Sequence, residues 1–274
     1  MKLSRIVTLH NQWHYLDWLA DDTLFADGNE FIFVDDCSTE PMPADLPARL
    51  AARCAILHRL PRNRGRSVAR NTGTGLAHGD WVEFVDGDDR PLPLRWNEAW
   101  AGSDLVLFPA TGHGPEKPEA HQIDANHFLL RDPKSPTGHR DPRPANTLWR
   151  KVALDDLGGF DPRMEPVEDL DLAWRALSRP AAYATAPKQS YNHHGASLLK
   201  GIESTAAFLK FYKKVAGERT DCGWLIEWEV RNLWHHATWH LLQRRHYGEL
   251  FRKGCVLVFN VTKAKLRDLF SRRS

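Results

Sequence analysis

The sequence predicts an α/β protein in which helices flank a mostly parallel central sheet, followed by a helical C-terminal extension. Four segments are apolar and rich in β-branched or aromatic residues: 3–9, 31–34, 55–60 and 81–85. Segments of helical character separate them, and strands that alternate with helices are typical of parallel sheets. Hydrophobic residues make up 42% of the 274 residues, which is enough for a large core. We expect one domain over 1–200 and the helical extension over 201–274.

The first helix is predicted from apolar spacing over residues 12–24. It is expected to bury Tyr15, Leu16 and Leu19. The Asp-Gly-Asn turn at 27–29 ends it, because glycine and asparagine favour turns.

Two further helices are predicted on either side of the third strand. One covers residues 45–53, and the other follows the basic loop at 61–66. Ser67 is placed to cap the second helix, which runs to about His78 and is stopped by Gly79.

The second half of the chain has a weaker pattern. A further strand is predicted at 104–109 and an edge strand at 181–186, with a helix over 146–157 between them. Residues 110–145 contain six prolines and three glycines, so we interpret them as a long irregular excursion that forms a lid or an acceptor wall.

A helix over 165–177 would place two acids in its first turn. Its apolar residues define one face: Leu170, Ala173, Trp174 and Leu177. Glu168 and Asp169 then lie at the amino end, where the helix dipole alone favours negative charge. The pattern therefore leaves a structural and a functional interpretation open for these two residues.

Carboxylates cluster directly after the fourth apolar segment. Asp86, Asp88 and Asp89 surround Gly87, which permits a sharp turn. Carboxylates this close repel one another unless a cation lies among them, and hard oxygen ligands suit Mg²⁺, Mn²⁺ or Ca²⁺. The turn predicts a metal site, and an acidic surface turn before a helix near Pro91 is the alternative.

Polar residues at or just after three of the predicted strands are expected to meet. Thr8, Asp36 and the acidic turn at 86–89 each lie at or just past a strand end. Ligands of parallel sheets bind beyond the carboxyl ends of the strands. The sequence therefore predicts one crevice, with the basic loop at 61–66 beside it.

The cysteines indicate the cellular compartment, and the charge distribution limits the kinds of partner. The four cysteines are far apart and include no Cys-x-x-Cys pair, which favours a reducing compartment, and no apolar signal segment begins the chain. We expect a cytoplasmic protein. From Leu242 onward, nine basic and two acidic residues give +7, so the preceding part carries −5 of the total of +2.

The basic end has three interpretations. In the first, it holds the protein on the inner, anionic face of a membrane near a lipid-linked acceptor. In the other two, it is a solvated helix or a homo-oligomer contact. Nucleic acid is a poor partner, because the positive charge is confined to this end and no nucleic-acid-binding motif accompanies it.

Four blocks stand in a fixed order along the chain. They are Phe33-Val34-Asp35-Asp36-Cys37-Ser38-Thr39-Glu40, Asn63-Arg64-Gly65-Arg66-Ser67-Val68-Ala69-Arg70-Asn71-Thr72-Gly73, Phe84-Val85-Asp86-Gly87-Asp88-Asp89, and Leu157-Gly158-Gly159-Phe160-Asp161 with Glu168-Asp169 and Arg175. The order resembles that of the inverting family 2 glycosyltransferases of the Rossmann-like GT-A fold. The family patterns are Val-Asp-Asp-Gly-Ser-Thr-Asp, Asn-x-Gly-x-x-x-Ala-Arg-Asn-x-Gly, Asp-x-Asp, and Gly-Gly-Phe-Asp with Glu-Asp-x-x-x-x-x-Arg. The resemblance covers roughly residues 1–197.

The resemblance implies a nucleotide-diphospho-sugar donor and a divalent metal, Mn²⁺ or Mg²⁺. Asp88 would be the metal ligand and Asp86 a second ligand or a ribose contact. Three residues would lie near the nucleobase: Thr8, Asn11 and Asp36. Arg66 or Arg70 would lie toward the base or the phosphates as a fixed positive group.

The resemblance also implies residues for the transfer itself. Asp169 resembles the base that takes the proton from the acceptor hydroxyl, and Glu168 is its alternative. His193 or His194 matches the position from which some relatives return a side chain to the metal or the diphosphate.

Two departures from the family pattern affect the donor side. The first strand ends in Thr8-Leu9-His10-Asn11 where the family has Pro-x-Tyr-Asn, and Cys37 replaces a glycine. If that glycine needs a positive φ, we expect the turn at Cys37 to be rebuilt.

Three function classes follow. The first is a metal-dependent inverting glycosyltransferase that modifies a glycan, a lipid-linked acceptor or another hydroxyl in polysaccharide or glycoconjugate synthesis. The second is a non-catalytic sugar-nucleotide or glycan-binding module of the same fold. The third is a nucleotidyltransferase, which would need a triphosphate-binding glycine-rich loop that the sequence lacks.

Overall fold

A computed structural model of the chain describes residues 2–25, 28–108, 121–122, 124–125, 127–129, 147–184, 189–190, 210–211 and 214. The chain divides into two compact units, one of Met1–Asp132 with Thr137–Gly195 and one of Pro133–Pro136 with Ala196–Ser274. In the second unit Lys210, Phe211 and Lys214 are helical. The rest of the predicted helical extension, including its basic end, lies outside the described residues.

The strands, in chain order, are β1 (Leu3–Leu9), β2 (Glu30–Asp35), β3 (Ile56–Arg59), β4 (Trp81–Asp86), β5 (Arg90–Pro91), β6 (Leu105–Leu107), β7 (His121–Gln122), β8 (Phe128–Leu129), β9 (Thr147–Arg150), β10 (Pro180–Tyr183) and β11 (Gln189–Ser190). Nine of them form one sheet in the order β3-β2-β1-β4-β9-β6-β10-β8-β7, and β5 pairs with β11. Strands β1 to β4 are parallel to one another, as are β6 and β10. The predicted mostly parallel sheet is confirmed.

The α-helices are α1 (Leu46–Ala51), α2 (Arg66–Leu76), α3 (Lys151–Asp156) and α4 (Glu168–Ala176). The predicted first helix is instead two 3-10 helices, Trp13–Ala20 and Asp22–Leu24, separated by the extended backbone of Asp21; the first of them is also kinked at Leu16. Leu16 and Leu19 are buried as predicted, but Tyr15 is only half-buried.

Apolar residues alternate between the two faces of the sheet and build a core on each side. On one face Ile6, Val34 and Phe84 join a cluster that includes Phe160 and Leu172. On the other face Val7, Leu9, Phe31, Phe33 and Val85 pack with residues of the 3-10 helices and α1: Leu16, Leu19, Leu46 and Leu50. This layered packing fixes the edge at which β1, β2 and β4 end.

The prediction of one helix over 146–157 is wrong for its first part. Thr147–Arg150 forms β9, which pairs antiparallel with both β4 and β6 and closes the sheet between them. Backbone hydrogen bonds on both sides outweigh the helical spacing of the side chains. Val152, expected on the buried helix face, is 64% exposed.

Two other predictions need correction. The strand predicted at 181–186 is not an edge strand, because β10 pairs with β6 on one side and β8 on the other. The excursion at 110–145 is not wholly irregular, since it contributes the paired strands β7 and β8.

Helix α2 packs so closely on the sheet that one of its residues must be glycine. A Cβ added at Gly73 would lie 2.3 Å from Cγ2 of Ile6 in β1. We expect Gly73→Ala to lower the free energy of unfolding by about 1–3 kcal/mol, because the helix must shift from the sheet. Urea unfolding measures this loss.

Gly75, two residues along α2, is the matched control. A Cβ there meets nothing within 4 Å. Gly75→Ala should therefore raise the free energy of unfolding by up to about 1 kcal/mol, through its effect on backbone entropy. Equal effects at the two positions would contradict the packing argument.

Candidate active site

The carboxyl ends of three neighbouring strands supply the predicted crevice. β1 lies between β2 and β4, and Thr8 is in register with Val34 on one side and Asp86 on the other. The backbone N–H of Asp36 donates to the carbonyl of Leu9 at 2.8 Å, which ties the two strand ends together. The structure thus brings Thr8, Asp36 and Asp86 to one edge of the sheet.

The acidic turn is closed by a backbone hydrogen bond of 2.9 Å from the N–H of Asp89 to the carbonyl of Asp86. A Cβ on Gly87 would lie 2.6 Å from Oε1 of Gln12 and 2.8 Å from the carbonyl of Thr8. Glycine is therefore required because the turn lies against β1. Asp86 and Asp88, on either side of Gly87 in this turn, are half-buried.

The chain returns to the acidic turn after the last strand of the large sheet. β5 follows Asp89 directly and pairs with β11, with Ser190 opposite Arg90. The histidines predicted to reach the metal or diphosphate, His193 and His194, come shortly after β11 and lie outside the described residues.

Arg70 links the acidic turn to the first turn of α4. Its Nη2 donates to Oδ1 of Asp86 at 2.7 Å, and its Nη1 donates to Oε1 of Glu168 at 2.9 Å. Burial disfavours the charged guanidinium, but Asp86, Glu168 and Asp169 together hold the pKa of Arg70 above its usual value. The arginine predicted to lie toward the donor thus also binds two of the predicted acids.

The two acids at the start of α4 have different surroundings. Glu168 is 1% exposed, and its Oε1 also lies 3.5 Å from Nε of Arg66. Asp169 is half-buried, and its Oδ1 accepts the N–H of Leu170 at 2.8 Å. Of the two, Asp169 is therefore the more accessible side chain.

Asn71 holds the fourth block against the second, and Arg175 ties the parts of the fourth block together. The side chain of Asn71 makes two hydrogen bonds with the backbone of Phe160, of 2.8 and 2.9 Å. Arg175 pairs with Asp171 at 2.8 Å and donates to the carbonyls of Leu157 and Gly159, which fixes α4 against the turn before it. The positions of these residues in the sequence did not predict either role.

The start of α2 differs from the prediction. Gly65, with φ of +85°, is the cap residue, and Ser67 lies inside the helix. The N–H of Ser67 donates to Oε1 of Glu165 at 2.6 Å. A Cβ on Gly65 would lie 2.2 Å from Oε2 of Glu165, so the glycine makes room for a capping carboxylate from a distant segment.

Two residues predicted to contact the nucleobase also hold loops. Both oxygens of Asp36 accept backbone N–H groups, from Arg64 at 2.7 Å and Gly65 at 2.8 Å. Oδ1 of Asn11 accepts the backbone N–H groups of Thr39 and Glu40 at 2.8 and 2.9 Å. Their roles toward a ligand stay predictions.

Cys37 adopts a positive φ although it is not glycine. Its φ is +58°, in the left-handed region that favours glycine. The turn thus holds a cysteine in a conformation that glycine would adopt more easily. The hydrogen bonds from the backbone N–H and hydroxyl of Ser38 to Oδ1 of Asp35, of 2.9 and 2.5 Å, hold this turn in place.

Among the residues that the structure describes, no three His, Cys, Asp or Glu side chains are grouped to hold a metal ion. Two carboxylates of one turn still fit Mg²⁺ or Mn²⁺, because such ions often bind one or two carboxylates and take their remaining ligands from substrate phosphates and water.

Over the described ranges, no helix is long and apolar enough to cross a membrane.

Comparison with known proteins agrees with this architecture. Residues 4–104 match the family model Glycosyl transferase family 2. The pre-mycofactocin glycosyltransferase of Mycobacterium tuberculosis is 28% identical over 193 residues, which cover 66% of this chain and 41% of that protein. The putative glycosyltransferase EpsH of Bacillus subtilis is 25% identical over 252 residues, covering 80% of this chain and 72% of EpsH.

A shorter match and a solved structure complete the comparison. The succinoglycan biosynthesis protein ExoO of Rhizobium meliloti is 42% identical over 66 residues, or 24% of this chain and 19% of ExoO. The crystal structure of S. aureus TarS 1-349 superposes with a TM-score of 0.60 at 20% identity and covers 85% of this chain and 72% of that one. Residues 4–104 are thus similar to glycosyl transferase family 2, and the chain has the GT-A fold.

Proposed function

We propose that this chain transfers a sugar from a nucleotide-diphosphate donor to a hydroxyl acceptor, with inversion at the sugar carbon and with a divalent metal. One observation carries the proposal. The acidic turn at Asp86–Asp89 and the first turn of α4 lie on either side of one guanidinium, that of Arg70. Donor-side and acceptor-side acids therefore face a single crevice at the carboxyl edge of the sheet.

Asp169 would act as the base. Inversion requires a base on the face opposite the leaving diphosphate to take the acceptor proton, and Asp169 lies on α4 rather than on the acidic turn. Glu168 is buried against Arg70 and Arg66, so it is a poorer base than Asp169. A carboxylate beside a cationic sugar would also stabilise the transition state.

The metal would be held by Asp88, with Asp86 as second ligand or ribose contact. A divalent cation bound there supplies positive charge to the departing diphosphate. Asp88 is our candidate for the principal ligand because of its place in the Asp-x-Asp pattern, whereas Oδ1 of Asp86 accepts a hydrogen bond from Arg70. His193 or His194 remains our proposal for a further contact.

The relatives suggest which donor and which purpose to test first. TarS 1-349 has been crystallised in complex with UDP-GlcNAc. We therefore propose a uridine nucleotide as the first donor to test here, near Thr8, Asn11 and Asp36. The relatives EpsH and ExoO favour a role in polysaccharide synthesis. The cytoplasmic location and the peripheral membrane contact of the basic end stay part of the proposal.

Thermal unfolding with a panel of nucleotide sugars tests the function. We expect a uridine-diphospho-sugar with Mn²⁺ to raise the Tm of the full chain by several degrees, because a ligand that binds only the folded state stabilises it. Release of nucleoside diphosphate on adding a hydroxyl acceptor would then show turnover. Stabilisation without release under any acceptor would favour the non-catalytic module, and no stabilisation by any nucleotide sugar would overturn the proposal.

A further inference from the structure

Arg70 has a geometry that a simple donor contact does not require. Its two terminal nitrogens bind two different carboxylates, 16 residues away in β4 and 98 residues away in α4. Each carboxylate accepts a hydrogen bond from a different guanidinium nitrogen, so the planar guanidinium fixes the separation between Asp86 and Glu168.

The surroundings of Arg70 hold the guanidinium rigidly. The side chain is 4% exposed, and its Cζ lies 5.1 Å from the centre of the Phe160 ring. Asn71 clamps the backbone of that same Phe160. Arg70 therefore has no room to follow either carboxylate if the other is lost.

Glu168 makes the link energetically important. Its Oε1 receives Arg70, and within the described residues its buried Oε2 has no hydrogen-bond partner. A buried carboxylate is strongly destabilising when its counter-charge is removed. Without the guanidinium, Glu168 and Asp169 would also repel the acids of the turn at Asp86.

We propose that Arg70 and Glu168 form a positioning pair that sets the acidic turn relative to the helix carrying Asp169. This inference rests on the proposed function. Glu168 acts chiefly through Arg70, its closer partner, and touches neither donor nor acceptor. A change at Glu168 is therefore transmitted to nucleotide binding at the turn, and Arg70 is the residue that transmits it.

A double-mutant cycle of Arg70→Met and Glu168→Gln tests the pair, first without ligand. Arg70→Met should lower the Tm by about 10 °C, because it leaves buried Glu168 with only the longer contact of 3.5 Å to the partly exposed Arg66. Adding Glu168→Gln should recover part of that loss. Arg163→Met, which removes an exposed arginine just before α4, is the control and should leave the Tm within about 1 °C.

The second measurement is the dissociation constant for UDP with Mn²⁺, well below every Tm. Glu168→Gln should weaken binding about 3–10-fold in the natural background and less than about 2-fold beside Arg70→Met, since coupled residues are not additive. If Arg70→Met does not fold, Arg70→Lys replaces it, because a single ammonium cannot span both carboxylates.

The outcomes separate the two proposals. One outcome is that Glu168→Gln partly restores the Tm of Arg70→Met but changes the UDP dissociation constant equally with and without Arg70→Met. The pair would then be purely structural, and the positioning role would be overturned. Additive Tm losses would overturn the pair itself. Failure of the unmutated chain to bind any nucleotide would instead overturn the proposed function, while the ligand-free cycle would still report on the link.

Discussion

Replacement of Asp169 by asparagine should lower the rate of sugar transfer by about 10²–10⁴-fold, the usual contribution of a general base. Asparagine has nearly the same shape, and its side-chain oxygen can still accept the N–H of Leu170. It cannot accept a proton from the acceptor hydroxyl. Because Asp169 lies on α4 rather than on the acidic turn, the affinity for the nucleotide sugar should change by less than about 3-fold, an expectation that follows from separate sites acting independently.

Steady-state kinetics and equilibrium donor binding of the same variant measure these two effects. Asp155→Asn is the control, because it removes a half-exposed acid of α3 whose ion pair within the described residues is with Lys151, one helical turn away. It should leave transfer within about 2-fold, as expected for a surface ion pair. Robust transfer by Asp169→Asn, or a parallel loss of donor binding, would contradict the assignment of the base.

The first four strands could be predicted because buried parallel strands are continuous apolar runs. β9 could not, because its residues have helical spacing and become a strand only through pairing with β4 and β6. A four-residue strand whose stability comes from distant partners leaves little local signal. The strand order beyond β4 therefore depends on tertiary contacts.

Helix α4 shows a second limit. The predicted apolar face is wrong in part: Ala173 is buried, but Leu170, Trp174 and Leu177 are only half-buried. The buried side also carries Glu168 and Asp171 together with Leu172 and Ala176. The two acids are buried against Arg70 and Arg175. A prediction from hydrophobic periodicity places carboxylates on the solvent-exposed face of a helix. It therefore assigns the wrong buried face when the carboxylates are paired and buried.

The candidate site was predicted in its residue types but not in its pairings. Asp86, Glu168 and Arg70 were each selected by motif, yet nothing in their spacing indicates that one guanidinium joins both acids. The capping carboxylate of Glu165 left no signal either, since Gly65 and Glu165 are 100 positions apart in the chain. Motifs identify the chemistry at a strand end, whereas partners from distant segments require the folded structure.

Asp88→Asn should abolish the stabilisation of the chain by Mn²⁺ with a nucleotide sugar, and it should lower metal-dependent donor hydrolysis by about 10³-fold. A metal ion stabilises the leaving diphosphate by several kcal/mol, and each 1.4 kcal/mol corresponds to about tenfold in rate. Asparagine keeps the size of the side chain but removes the anionic oxygen ligand. Thermal unfolding with and without Mn²⁺, and release of nucleoside diphosphate, measure the two losses.

Substitution of the other acid of the turn, Asp86, should also affect the stability of the ligand-free chain. Asp86→Asn breaks the ion pair with buried Arg70 and should lower the ligand-free Tm. Asp80→Asn, at the exposed opposite end of β4, is the control and should alter neither the Tm nor hydrolysis. If hydrolysis and the Mn²⁺ effect persist in Asp88→Asn but vanish in Asp86→Asn, Asp86 is the principal metal ligand, and its bond to Arg70 must give way when the donor binds.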